Sequence, residues 1–179
     1  VADEPLLAFQ ETSFHGQPIA LIVAETVEAA RDGAKACELE IEELPPITCP
    51  RKAFEKGQIL QELRVFEKGS VGDAWKDCEY IISGSVDLGG QEHLYLETNR
   101  SRAIPKEDDQ ILIYSSTQSP SAVQKEVASV LGLPMHKIEI DVKRLGGGFG
   151  GKEDQATHWA CHAALASQLL KRPVQVVLS

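Results

Sequence analysis

Between residues 146 and 151 the chain reads Gly-Gly-Gly-Phe-Gly-Gly, and this run constrains the fold more than any other feature. Glycine loses more conformational freedom on folding than any other residue, so a folded chain keeps five of them together only where backbone turns sharply or approaches something closely. The run follows Lys137-Ile138-Glu139-Ile140-Asp141-Val142, which alternates as a strand, and precedes a helical pattern from about Lys152 to Leu170. At such a junction the first-turn N–H groups have no intrahelical partner and carry the positive end of the helix dipole, worth about 0.3–1 kcal/mol toward an anion. The expected role is a ligand-holding loop. Tight strand–helix packing alone would need one glycine.

Two phosphate-binding motifs compete for the run. Gly146, Gly148 and Gly151 satisfy G-x-G-x-x-G, but the acidic residue that should meet a ribose about 20 residues later is missing, because no Asp or Glu follows Asp154. Gly146 to Lys152 also approaches a P-loop. There Glu153 stands where a hydroxyl should help hold magnesium, and its charge would repel a triphosphate.

The surrounding pattern predicts an α+β fold of mixed α/β units. Pro18 to Ala24 is an apolar run, Thr26 is a candidate N-cap for a helix to Cys37, and Leu39-Glu40-Ile41-Glu42 alternates before Pro45-Pro46, giving β-α-β. Charge rises and periodicity fades from Cys49 to about Gly69, the expected linker region. Beyond it the pattern predicts a short helix near Gly72–Cys78 and strands at about Tyr80–Val86, Leu94–Ile104 and Gln110–Tyr114. A helix then opens at Ser119-Pro120 and ends at Gly132, and a last strand starts at Val174.

At 179 residues, 42% of them hydrophobic, the chain has material for one domain or two small ones. Its net charge of -9 and the lack of a basic stripe argue against a nucleic-acid partner. No segment approaches the roughly 20 apolar residues of a membrane span, and a cytoplasmic, non-membrane protein is expected. Cys37, Cys49, Cys78 and Cys161 form no C-x-x-C pair, which argues against a zinc knuckle or iron–sulfur cluster. The start at Val1-Ala2-Asp3, without methionine, and the stop within a strand-like run suggest a fragment. His158 and His162 share a helical face, but no Glu follows His158 as H-E-x-x-H requires, and Glu92 and His93 should point to opposite faces of a strand, a structural placement.

Three motifs in order, G89-G-Q-E-H-L-Y-L-E97, S115-S-T-Q118 and K143-R-L-G-G-G-F-G-G-K-E153, closely resemble the xanthine dehydrogenase branch of the molybdenum hydroxylases. The resemblance covers nearly the whole chain. It implies an a/b hammerhead domain over 1–60, helped by H15-G-Q-P-I-A-L-I-V-A-E25 and E42-E-L-P-P46, a linker over 61–68, and the first molybdopterin-binding domain, truncated, over 69–179.

The resemblance also implies a molybdopterin cofactor, with Gln118, Gly148, Phe149 and Gly150 as cofactor-binding residues. Gln118 and Phe149 would contact the molybdenum centre without being direct ligands. A carboxamide suits that role because it donates to an oxygen on the metal without adding charge. Gln118 is also a plausible capping amide beside Ser119, and the Phe149 ring a candidate plug for the core beneath the loop. Glu153 matches the residue that binds the heterocycle in purine-oxidising members, whereas aldehyde-oxidising relatives commonly carry an apolar residue there, so a purine-like substrate is implied; an acidic residue also suits a first helical turn without any ligand. The general-base glutamate of the family is expected beyond Ser179. The [2Fe-2S] clusters and FAD that take the electrons are expected on other chains or segments, together with the rest of the molybdenum subunit, so the chain alone is expected to be inactive. The rival readings are an aldehyde oxidase-type hydroxylase and a non-catalytic binding or assembly module.

Overall fold

A computed structural model describes residues 4–179, leaving Val1-Ala2-Asp3 outside the described residues. Helix α1 spans Val27–Ala36, α2 Pro50–Glu55 and α3 Val71–Ala74, the last continuing into a 3-10 turn at Trp75–Asp77. Strands β1 (Arg100–Pro105) and β2 (Ile111–Ser115) follow, then α4 (Pro120–Leu131), β3 (Ile138–Asp141), α5 (Gln155–Leu170) and β4 (Val174–Val177). The fold is the expected α+β mixture. The chain parts into two compact units, one formed by residues 4–37 and 91–179, the other by 38–90.

In the larger unit the sheet order is β3-β2-β1-β4. The neighbours of β1 run antiparallel to it, while β2 and β3 are parallel, joined by α4 as a crossover. Ile111, Ile113 and Ser115 are buried while Leu112 and Tyr114 are half-buried. That alternation is the period-two signature of a sheet packed on one face. The covering layer is α4 and α5: Val123 and Val127 meet Ala160, Ala163 and Ala164 over Ile113 and Ile138. Small residues let α5 lie close, and it is buried over most of its circumference.

Capping chemistry explains the helix ends. Thr26 Oγ1 accepts the Ala29 N–H at 3.1 Å at the start of α1. Pro120 occupies the first turn of α4, and Gly132 ends it with φ 65°. Helix α5 starts at Gln155, three residues later than the periodicity predicts. The backbone of Phe149 and Gly150, at φ 51° and 89°, is left-handed and cannot enter a helix.

Three expected strands, at 18–24, 39–42 and 80–86, do not form, and the expected 94–104 strand shortens to β1. Their apolar alternation is real, but a strand requires a neighbouring ladder to pair its N–H and C=O groups. Between residues 38 and 90 no side chain is buried, with Ile41 69% and Ile82 95% exposed. Among the described residues no helix is long and apolar enough to cross a membrane.

Candidate functional site

The glycine run connects β3 to α5, and its backbone is held from two sides by the chain's own polar groups. On one side stands Gln118, at the exit of β2. Its Oε1 accepts the N–H of Gly150 at 3.0 Å and that of Lys152 at 3.3 Å. Its own N–H donates to the Lys152 carbonyl at 2.8 Å, which also accepts from Thr117 Oγ1 at 3.1 Å. Two N–H donors aimed at one side-chain atom identify that atom as oxygen. The opposite end of the planar carboxamide, Nε2, is therefore a pure donor. Gln118 does not cap α4 through its side chain; Thr117 Oγ1 instead accepts the Ser119 N–H at 3.0 Å.

Gly148 lies against this carboxamide so closely that a Cβ there would fall 2.4 Å from Gln118 Oε1. The Gly151 N–H closes a turn onto the Gly148 carbonyl at 2.7 Å, which displays Phe149 and Gly150 at its tip. Gly150 has open space around a built Cβ, with nothing nearer than His93 Nε2 at 4.0 Å. Phe149 is 75% exposed and thus does not plug the core beneath the loop. Its left-handed backbone carries strain of roughly 1–2 kcal/mol that the surrounding contacts must hold.

Glu97 holds the other side. Its Oε2 accepts the Gly146 N–H at 2.6 Å and the Ser116 hydroxyl at 2.9 Å, while Oε1 meets Arg100 Nε at 2.9 Å. The Glu97 N–H returns a bond to the Gly146 carbonyl at 3.2 Å. Burial pushes the Glu97 carboxyl upward. The Gly146 N–H, the Ser116 hydroxyl and the charges of Lys152 and Arg100 together outweigh that, and the group lies below the usual carboxylate range.

Lys152 is the largest fully buried side chain among the described residues, at 0% exposure. Its Nζ donates to the Glu97 carbonyl and to Ser116 Oγ at 2.8 Å, lies 3.5 Å from Glu97 Oε2, and sits 4.6 Å from the centre of the Tyr95 ring. Burial pulls its pKa below the usual lysine value, with Glu97 opposing that pull. Tyr95 in turn accepts the Asn99 side-chain amide at 3.0 Å and stacks on His93 with ring centres 6.1 Å apart. Of the pair Glu92 and His93, only His93 thus reaches the loop, beside Gly151.

The expected residues come together here, Gly148, Phe149 and Gly150 in the loop and Gln118 bonded to it from the exit of β2, and Glu153 follows the loop with an exposed side chain. The expected first-turn anion cradle does not form. The run lies ahead of α5, and the loop amides of Gly146, Gly150 and Lys152 bond to Glu97 and Gln118. Sequence reasoning missed Glu97 and Lys152. Glu97 ends the G89–E97 motif and Lys152 directly follows the glycine run, and their pairing joins positions 55 residues apart.

His158 and His162 face the chain's opening segment, with Nε2 atoms 3.2 Å from the Glu4 carbonyl and 2.9 Å from the Leu6 carbonyl. Among the described residues no group of three or more His, Cys, Asp or Glu side chains is arranged to hold a metal ion.

Comparison with known proteins agrees with the motifs. The family profile described as the molybdopterin cofactor-binding domain matches residues 54–179. A xanthine dehydrogenase from Emericella nidulans is 42% identical over 178 residues, covering 99% of this chain and 13% of that protein. Aldehyde oxidase 2 from Cavia porcellus is 39% identical over 178 residues, covering 98% of this chain and 13% of that protein. The crystal structure of quinoline 2-oxidoreductase from Pseudomonas putida 86 superposes with a TM-score of 0.82 at 28% identity, covering 98% of this chain and 23% of that one. The chain thus spans about 13% of the length of the curated relatives it matches.

Proposed function

The chain belongs to the molybdopterin cofactor-binding domain family, and from that premise we propose that it shapes the metal end of the cofactor in the molybdenum subunit of a xanthine dehydrogenase-like oxidoreductase. The observation that carries this reading is the orientation of Gln118. With Oε1 committed to the Gly150 and Lys152 N–H groups, its Nε2 is left as a neutral donor fixed to the same turn that displays Phe149 and Gly150. A donor without charge beside side-chain-free backbone fits a group whose metal carries oxygen ligands and lies close to the chain. When bound, the cofactor supplies the two-electron chemistry that hydroxylates an electron-poor carbon.

The chain's own residues orient and admit. Gly148 and Gly150 leave room for close approach, and the turn from Gly148 to Gly151 holds Phe149 at its edge. Glu153, exposed at the end of the loop, is the residue we assign to binding the substrate, a purine or related N-heterocycle. The general base is assigned to a glutamate outside this chain, and the electrons to [2Fe-2S] and FAD units on other chains or segments, so the chain alone is inactive. We assign residues 1–60 to an a/b hammerhead domain, 61–68 to a linker and 69–179 to the first molybdopterin-binding domain, in a cytoplasmic enzyme.

A second reading, an aldehyde oxidase-type hydroxylase, draws support from the 39% identity to aldehyde oxidase 2. The side chain at Glu153 favours the heterocycle. The test is molybdenum analysis of the intact enzyme carrying Gln118→Ala together with Gly150→Val. Loss of molybdenum is expected. Unchanged content would remove the cofactor from this loop and leave a binding or assembly module.

A further inference from the structure

We propose that Lys152 and Glu97 are positioning residues, a buried brace that holds Gln118 and the Phe149–Gly150 backbone in place for the cofactor; this rests on the functional reading above. Phe149 is left-handed, yet its ring is exposed, so its own packing cannot keep the tip of the loop in that conformation. The restraint has to come from the flanks.

Lys152 links both flanks. Its backbone N–H and carbonyl bond to Gln118, and its side chain runs back to the Glu97 carbonyl, Ser116 Oγ and the Glu97 carboxylate. Glu97 then grips the start of the run through both the N–H and the carbonyl of Gly146. The loop from 146 to 152 is thus closed at both ends on Glu97, with Gln118 bonded to its second half at Gly150 and Lys152. Buried ion pairs of this kind are often replaceable by apolar residues without loss of stability. What an apolar residue lacks is direction, since the ammonium donates along fixed lines to acceptors on two separate segments.

The test compares the intact enzyme with Lys152→Met, which keeps most of the unbranched apolar stem but lacks the terminal ammonium, and Glu97→Gln, which keeps an oxygen for the Gly146 N–H but removes the charge facing Lys152. Hydrogen exchange is read over residues 146–152 and over β1 and β2, and the molybdenum signal by electron paramagnetic resonance. The expected result for Lys152→Met is exchange at least ten-fold faster at Gly146, Gly150 and the amide of position 152, unchanged rates in β1 and β2, and an altered molybdenum signal. Glu97→Gln is expected to speed Gly150 and Lys152 while sparing Gly146. Wild-type exchange in both variants, or a loosened loop with an unaltered signal, overturns the brace. Molybdenum retained by the Gln118→Ala, Gly150→Val enzyme defeats the functional reading whatever the exchange rates, so the two failures are separable.

Discussion

The side-chain oxygen of Gln118 lies 3.0 Å from the backbone nitrogen of Gly150, although 32 residues separate them in sequence. One carboxamide therefore serves two ends: its oxygen fastens the loop, and its NH2 faces away from that bond as a donor. Substitutions that change one end and keep the other separate the two roles.

Gln118→Glu preserves an acceptor for the Gly150 and Lys152 N–H groups and removes the donor. Gln118→Ala removes both. Two neutral hydrogen bonds are worth roughly 1–3 kcal/mol in total. The alanine variant is expected to lose about that much in denaturant titrations, and the glutamate variant less than half of it. Molybdenum retention is expected to fall in both. A glutamate variant that keeps its full complement of molybdenum would show that the donor is not what the cofactor uses.

Gly148 and Gly150 answer different demands. Alanine at 150 meets no atom closer than 4.0 Å but must adopt φ 89°, a strain of roughly 1–2 kcal/mol. Alanine at 148 would place its Cβ 2.4, 2.6 and 2.9 Å from the Oε1, Cδ and Cγ atoms of Gln118, all of which Gln118→Ala removes. A double-mutant cycle should therefore show Gly148→Ala costing at least about 1 kcal/mol less in the Gln118→Ala background. Gly150→Ala should change its cost less between backgrounds, because its Cβ does not meet the carboxamide and only the Gly150 N–H is bonded to it. Additive behaviour at Gly148 would mean that the carboxamide moves aside freely.

What could be read from the chain follows how local the cause is. Thr26, Ser119, Pro120 and Gly132 mark helix ends through bonds and backbone angles within four residues, and α1 and α4 lie where those residues place them. The strand at 80–86 depends on a partner that alternation cannot name, and it did not form. The loop's residues were legible because five glycines are unusual in any context. Glu97 and Lys152 were not, since a glutamate and a lysine are ordinary surface residues until the fold buries one on the other. The signal was there in one respect: each belongs to a motif already singled out, and opposite charges in two such motifs are candidates for a pair.

His162 gives the native state a distinct acid dependence. Burial pulls its pKa below the ordinary value, with the Leu6 carbonyl opposing and neighbouring His158 adding to the fall. The unfolded chain, with a histidine pKa of about 6.5, then binds this proton more tightly than the native state does. Stability is full above about 6.5 and declines as pH falls from there to the lowered native value. Glu97 acts in a separate window: its native pKa is depressed, so its contribution is present above about 4.3 and is lost as pH falls through the native value. Denaturant midpoints measured from pH 8 to 3 should show both declines. His162→Gln, which retains a donor for the Leu6 carbonyl, should remove the first and spare the second; a slope between 7 and 5 identical to that of the wild type would exclude His162 as its source.

Glu153 lies outside the hydrogen bonds that build the loop and is exposed, so its removal should alter stability by no more than about 0.5 kcal/mol. Its proposed partner is the ring of an N-heterocyclic substrate, where a carboxylate accepts from a ring N–H or a protonated nitrogen. An aldehyde offers no such donor. In the intact enzyme, Glu153→Ala is therefore expected to lower kcat/KM for xanthine at least ten-fold, about 1.4 kcal/mol of transition-state binding. The same variant should leave an aromatic aldehyde within about two-fold, a difference of some 0.4 kcal/mol. Glu153→Gln distinguishes charge from hydrogen bonding, since the amide oxygen still accepts but attracts a developing positive charge less. Equal losses on both substrates, or none on xanthine, would end the assignment of Glu153 to a purine and shift the balance to the aldehyde-oxidising branch.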